Sequence, residues 1–297
     1  MSGQGTFRAT EAGAIMRPVI IDFHTHIFPP DVRDSRDGYA GRDATFAEMY
    51  TNPKAKIATA EDLRRSMDEA GVDVSVALGF AWREHELCVR HNDYLLESAA
   101  KSGGRIVPFC TINMAVAPAT VTKEVARCAR AGARGLGELR PESQGWELNG
   151  EAGERVAALA QRHNLILLFH VTEPVGRQYP GKEGCSLGSF CEFAREHPEI
   201  AIIGAHLGGG LPFYGAMSEV GDALSHVYVD TAALPLLYGR EVYRLADGGH
   251  LLLGSDFPLV GQARQIEEMR GGLEDEAARR LVLGENARRL LGLEHGG

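Results

Sequence analysis

Eight short runs of apolar and β-branched residues recur along the chain, each set off from the next by a charged segment of helical character. They cover residues 19–23, 74–80, 106–112, 134–139, 165–171, 200–205, 227–230 and 250–254. Helices are expected around them at 60–70, 91–102, 118–131, 151–163, 189–197, 213–224, 239–246, 263–272 and 274–291. A run that is apolar at nearly every position suits a strand buried on both faces of a parallel sheet. Parallel neighbours need a crossover, here a helix. Eight such units in 297 residues predict an α/β fold, a (β/α)8 TIM barrel over residues 18–297. The rival is a doubly wound open sheet. Its Gly-rich turn after the first strand is missing, and Asp22-Phe23-His24-Thr25-His26 stands there instead.

Two connections are too long for ordinary βα loops. Residues 27–59 follow the first strand and hold Pro29, Pro30 and Pro53; they are read as a lid or substrate wall. Residues 173–187 follow the fifth strand, hold Pro174 and Pro180, and are read as another wall of the same mouth. Residues 1–17 lack a charged start followed by an apolar run, so they read as a leader and not as a signal peptide.

Polar side chains follow the apolar runs directly. His24 and His26 end the first strand, Glu138 the fourth, His170 the fifth, His206 the sixth and Asp256 the eighth. In a strand, residues i and i+2 share a side, so His24 and His26 can reach one ion. In a barrel all these strand ends converge on one face, where active sites lie. Taken singly, His170 or His206 reads as a satisfied core histidine. Glu138 could pair with Arg140 or cap a helix, and Asp256 could cap the helix beyond Pro258. Jointly, four imidazoles and two carboxylates make a nitrogen and oxygen donor set suited to zinc, or to manganese, iron or cobalt. Asp22 and Asp230 are read as supporting or structural groups.

Composition narrows the partners. Acidic residues outnumber basic ones for a formal net charge of −9, which argues against a dedicated nucleic-acid binder. No stretch approaches 18 apolar residues, so no transmembrane helix is expected. Five cysteines without a CxxC pair suggest reduced thiols and a cytoplasmic protein. The expected partner is a small molecule. Trp82, Arg83 and His85 after the second strand, Arg140 after the fourth, and Arg177, Tyr179 and Lys182 in the 173–187 loop are candidates to recognise it. The cations among them suit a carboxylate or phosphate.

Four segments carry a family resemblance: Asp22-Phe23-His24-Thr25-His26-Ile27-Phe28-Pro29, Gly204-Ala205-His206-Leu207-Gly208-Gly209, Gly254-Ser255-Asp256-Phe257-Pro258, and Gly284-Glu285-Asn286-Ala287-Arg288-Arg289-Leu290-Leu291. From about Val19 to Leu293 the chain resembles the amidohydrolase superfamily of metal-dependent barrels, in its amidohydrolase 2 branch. That branch includes aminocarboxymuconate-semialdehyde decarboxylase and related decarboxylases, hydratases and lactonases. In its decarboxylases the resemblance places His24, His26, His170 and Asp256 on one metal and makes His206 an acid/base residue. Glu138 is surplus to that pattern. It stands where other branches carry a carboxylate that bridges two metals, which would put His170 and His206 on a second ion.

The expectation that follows is a metal-dependent hydrolase of a small anionic amide, lactone or ester. Its metals are one or two divalent ions, zinc first, bridged by Glu138, with Asp256 carrying the proton of the attacking hydroxide. The alternative is a one-metal, non-oxidative decarboxylase of an aromatic or muconate-like acid, with His206 as acid/base. A barrel that binds without catalysis is a third reading, and a nuclease a fourth that the net acidity disfavours. A homodimer is common in the branch.

Overall fold

In the computed structural model, residues 18–244 and 248–293 are described. The expected leader, residues 1–17, lies outside them. Eight parallel strands form one sheet in sequence order: β1 (Ile21–His26), β2 (Val74–Leu78), β3 (Ile106–Cys110), β4 (Gly135–Leu139), β5 (Ile166–Phe169), β6 (Ile202–Gly204), β7 (Tyr228–Asp230) and β8 (Leu251–Leu252). Hydrogen bonds from Phe23 N to Leu253 O and from Asp256 N to His24 O bring the β8 end back against β1. The architecture is a TIM barrel, as the sequence pattern implied. Every expected strand is present, and all but β1 are shorter than their apolar runs.

Two apolar layers account for the cohesion. Inside the barrel, Ile21, Phe23, Val76, Leu78, Phe109, Leu168 and Leu252 pack together, with Phe23 and Phe109 edge to face at 5.6 Å. Outside it, alternate strand residues such as Ala77, Leu136, Leu167 and Ile202 meet the helices. Each large side chain so buried contributes about 1.5–3 kcal/mol relative to exposure.

The 27–59 insertion is helical: α1 (Pro30–Asp34), α2 (Arg36–Ala40) and α3 (Ala44–Tyr50). Its aromatic residues Phe28, Phe46 and Tyr50 bury with Phe80 and Trp82 from beyond β2. Asp43 caps α3 through Phe46 N and also accepts from Arg83 N, both at 2.9 Å. Buried His91 ties the same seam: Nε2 donates to Ile27 O at 2.7 Å, and Nδ1 accepts from Phe80 N and Trp82 Nε1. Burial pushes His91 down to about 4, so it stays neutral, as an acceptor of two bonds must.

The outer ring continues with α4 (Ala60–Ala70), α5 (His85–Ala100), α6 (Pro118–Arg130), α7 (Pro141–Gln144), α8 (Glu151–His163) and α9 (Leu187–Glu196). α4 begins with a full capping box between Thr59 and Asp62 and ends at Gly71. The later helices depart from expectation. In place of one helix over 213–224 there is a 3-10 turn, Leu211–Tyr214, and a short helix, Ser218–Leu224. The expected 274–291 helix is interrupted by a π segment, Leu281–Glu285. The cause is close packing: a Cβ at Gly284 would lie 2.1 Å from Val19 O, and Asn286 donates to the carbonyls of Gly248 and Leu251. The Gly284–Asn286 motif thus ties the last helix to the foot of the barrel.

Candidate metal centre

Two local distortions aim the strand ends. Ile21 and Phe23 point into the barrel, so a regular β1 would send His24 and His26 outward to the helices. Between Asp22 and Thr25 the register with β2 shifts, β1 carrying one extra residue. Such a bulge re-aims the side chains beyond it, and both imidazoles turn inward. β4 does the same between Leu136 and Leu139, which both face the outer layer, and the shift sends Glu138 inward. On β5 no distortion is needed: Ile166 and Leu168 face in, and His170 follows in phase.

At the end of β6 the backbone makes a left-handed turn, with positive φ at His206, Leu207, Gly208 and Gly209. Non-glycine residues there cost about 1–2 kcal/mol each. Gly209 also leaves no room, since a Cβ would sit 2.6 Å from Thr172 O. The turn delivers His206 to the mouth. Asp256 likewise has φ +60 and is braced by a hydrogen bond from its amide to His24 O at 2.9 Å.

The six expected side chains meet. Two groups of donor atoms form, His24 with His26 and Asp256, and Glu138 with His170 and His206. In the first, His24 Nε2 lies 3.1 Å from His26 Nε2, and Asp256 Oδ1 lies 3.7 and 3.4 Å from the two. In the second, His170 Nδ1 is 2.8 Å from Glu138 Oε1 and 3.0 Å from His206 Nε2, and His206 Nε2 is 3.4 Å from Glu138 Oε1. Glu138 Oε2 also lies 3.5 Å from His26 Nε2, so this carboxylate reaches both groups.

Asp230 orients the set from behind. It accepts from His24 Nδ1 at 2.8 Å, from His206 N at 2.9 Å and from Ala232 N at 3.0 Å. His206 Nδ1 is engaged by Ala232 O at 3.1 Å. Each contact turns the Nε2 lone pair of its imidazole toward the centre, the usual arrangement behind metal-binding histidines. Asp22 instead accepts from Ser255, Gln262 and His24 N, bracing the β8 end. Asp230 thus contacts two of the imidazole-bearing residues, and Asp22 the backbone and side chains around the β8 end.

The electrostatics call for positive charge. Burial opposes a charged His24, but Asp230, with Glu138 and Asp256, outweighs it and pushes the imidazole up to about 10. Burial likewise opposes charge on Glu138, yet His170, His206 and His24 hold its carboxyl well below the usual range. His206 is raised by Glu138 and Asp256 against burial, while burial and Arg140 push His170 down to about 4. Tetrahedral ligands at about 2.0–2.1 Å from an ion stand roughly 3.4 Å apart. The donor spacings in the first group bracket that value, so the residues fit a divalent cation.

The centre opens into a cavity of about 380 Å³, walled by Tyr50, Phe80, Leu236, Leu237 and Pro258. Among the expected substrate contacts, Arg140, Arg177 and Tyr179 line it and Arg83 does not. Arg83 is exposed because Trp82 turns into the aromatic cluster and sends the next residue outward. His85 starts α5, and Lys182 is held by Glu173 and by the carbonyls of Val175 and Arg177. Tyr179 donates to Glu173 at 3.0 Å. Arg140 is buried, its Nε and Nη2 bonded to the carbonyls of Gly181 and Glu183, with no carboxylate within 4.0 Å among the described residues. Sequence reading missed Tyr50, Lys54 and Lys56 on this wall; the only signal was their place in the long insertion.

Comparison with known proteins agrees with this architecture. The chain is similar to 5-carboxyvanillate decarboxylase LigW from Sphingomonas paucimobilis, with a TM-score of 0.75 and 16% identity over 93% of this chain and 99% of that one. It is similar to a dihydroxybenzoic acid decarboxylase from Polaromonas sp. with bound manganese and the inhibitor 2-nitroresorcinol, at TM-score 0.71 and 18% identity over 94% and 98% of the two chains. A probable 2-pyrone-4,6-dicarboxylic acid hydrolase from Acinetobacter baumannii, with citric acid bound, matches at TM-score 0.62 and 14% identity over 92% and 99%. The family model described as Amidohydrolase (Amidohydro_2) matches residues 21–293, nearly the whole barrel, and the chain belongs to that family.

Proposed function

We propose that this amidohydrolase-family enzyme is a metal-dependent, non-oxidative decarboxylase of a small aromatic carboxylic acid. The observation that carries the reading is the cavity. A largely apolar chamber leads onto the donor cluster, and buried Arg140, without a carboxylate partner among the described residues, supplies positive charge for an anionic group. The names of two of the structures compared above, both aromatic acid decarboxylases, support the choice over hydrolysis, the expectation from sequence. Bound manganese in one of them supports a divalent ion without singling out zinc.

His24, His26 and Asp256 would hold the ion, joined by His170 in the pattern the family resemblance implies; the ion supplies positive charge to orient the acid and stabilise developing negative charge. Arg140 draws the anion inward, and the walls of Phe80, Leu236 and Leu237 exclude water. In the reaction the bond from ring carbon to carboxyl carbon breaks, carbon dioxide leaves, and the carbon takes a proton. His206 suits that transfer, because Glu138 and Asp256 favour its protonated form. The net change is an acid anion plus a proton giving the decarboxylated ring and carbon dioxide.

Glu138 favours a second reading. It reaches donors of both groups, the position needed to bridge two ions in a hydrolase. Metal per chain on gently purified protein separates the two, alongside carbon dioxide release from a panel of hydroxybenzoic and muconate-like acids. About one equivalent with release supports decarboxylation. Two equivalents, with no release and with turnover of lactones or esters, overturn it.

A further inference from the structure

Outside the barrel mouth, one other cluster has the makings of a metal site. Glu154 on α8 and Glu196 and His197 at the end of α9 bring one donor atom each to within 4.8 Å of one another. His197 is only 8% exposed, and its Nε2 is buried without a hydrogen-bond partner among the described residues. That nitrogen lies 3.6 Å from Glu154 Oε1, too long for a hydrogen bond but close to the roughly 3.4 Å between two ligands of one tetrahedral ion. A buried polar atom left unpaired costs about 1–3 kcal/mol, which a coordinated ion would relieve.

The surrounding charge has the right sign. Glu199 stands 3.9 Å from His197 Nδ1 and adds a third carboxylate. None of the three glutamates has a lysine or arginine within 4.0 Å among the described residues. The imidazole is fixed by packing against Phe193, their ring centroids 4.6 Å apart, so its Nε2 is held in place before an ion arrives. One imidazole and two carboxylates form a donor set of the zinc class.

We propose that Glu154, Glu196 and His197 form a peripheral binding site for a divalent cation of the zinc class, clipping α8 to α9. It is separate from the central cluster and does not depend on which reaction that cluster performs. Its role is to stabilise the outer helical ring, since an ion that binds only the folded state raises stability by mass action.

The test counts zinc on the intact protein with its central site already loaded. Wild type, His197→Gln and the double variant Glu154→Gln with Glu196→Gln are equilibrated with micromolar zinc, and zinc per chain is measured. The expected result is one equivalent more on wild type than on either variant. The exposed glutamates make the double variant safe for folding even if His197→Gln is not. Equal uptake by wild type and the double variant, or uptake only at millimolar zinc, overturns the proposal.

Discussion

The two donor groups at the mouth look alike in composition but differ in how they are satisfied. In the Glu138 group the carboxylate sits inside, and its 2.8 Å contact with His170 is a full hydrogen bond. Glu138, His170 Nδ1 and His206 are thus paired with one another without an ion, while His170 Nε2 stays buried without a partner among the described residues. In the His24 group the strongest carboxylate contact lies outside, from His24 Nδ1 to Asp230, and Asp256 stays 3.4–3.7 Å from both imidazoles. Its inner nitrogens have each other and no close acceptor. One half of the centre is thus built to receive a cation, while the other can work either as a proton relay or as a second cation site. The choice between decarboxylase and hydrolase rests on that second half.

The largest expected effect comes from breaking the first half. His24→Asn or His26→Asn should remove nearly all bound metal and lower activity by at least about 10³-fold, as losing the charge that stabilises the transition state implies. Metal analysis beside kcat checks this; full metal content in the variant would show that the first half is not the primary site.

His206→Asn sharpens the comparison next. As a proton donor its loss should lower kcat about 10²–10⁴-fold with metal content unchanged. If metal content instead falls by one equivalent, the Glu138 half holds an ion and the hydrolase reading gains.

Asp230→Asn should weaken metal affinity about 10–100-fold, because its partner His24 loses orientation and basicity. A metal titration followed by activity measures it. An unchanged affinity would mean that the β1 bulge alone orients the imidazole.

The smallest effect is expected at Arg140. Arg140→Lys should raise KM roughly tenfold, about 1.4 kcal/mol, by moving the buried charge off its place. The carbonyls of Gly181 and Glu183 lose their guanidinium donor too, so a modest fall in Tm should accompany it. A changed Tm with an unchanged KM would leave Arg140 as a loop anchor only.

Much of this centre was legible in the chain. His24, His26, Glu138, His170, His206 and Asp256 each follow an apolar run, and the barrel topology makes such strand ends converge. The substrate wall was less legible. Arg83 and Arg177 look equivalent as loop cations, and only the burial of Trp82 against Phe46 and Phe80 sends Arg83 to the surface. Tyr50 reaches the cavity from an insertion whose helices no strong periodic signal announced.

The sequence alone determined the barrel and the chemical identity of the cluster, because strand burial and donor type are properties of local composition. Tertiary structure alone decided where those donors point. An alternating strand with Phe23 inside the barrel places His24 outside, and one with Gly137 inside places Glu138 outside. A single extra residue in β1 and in β4 reverses that phase. A bulge is a mismatch between two paired strands, so it is set by the register with β2 and β5 and not by either strand's own residues.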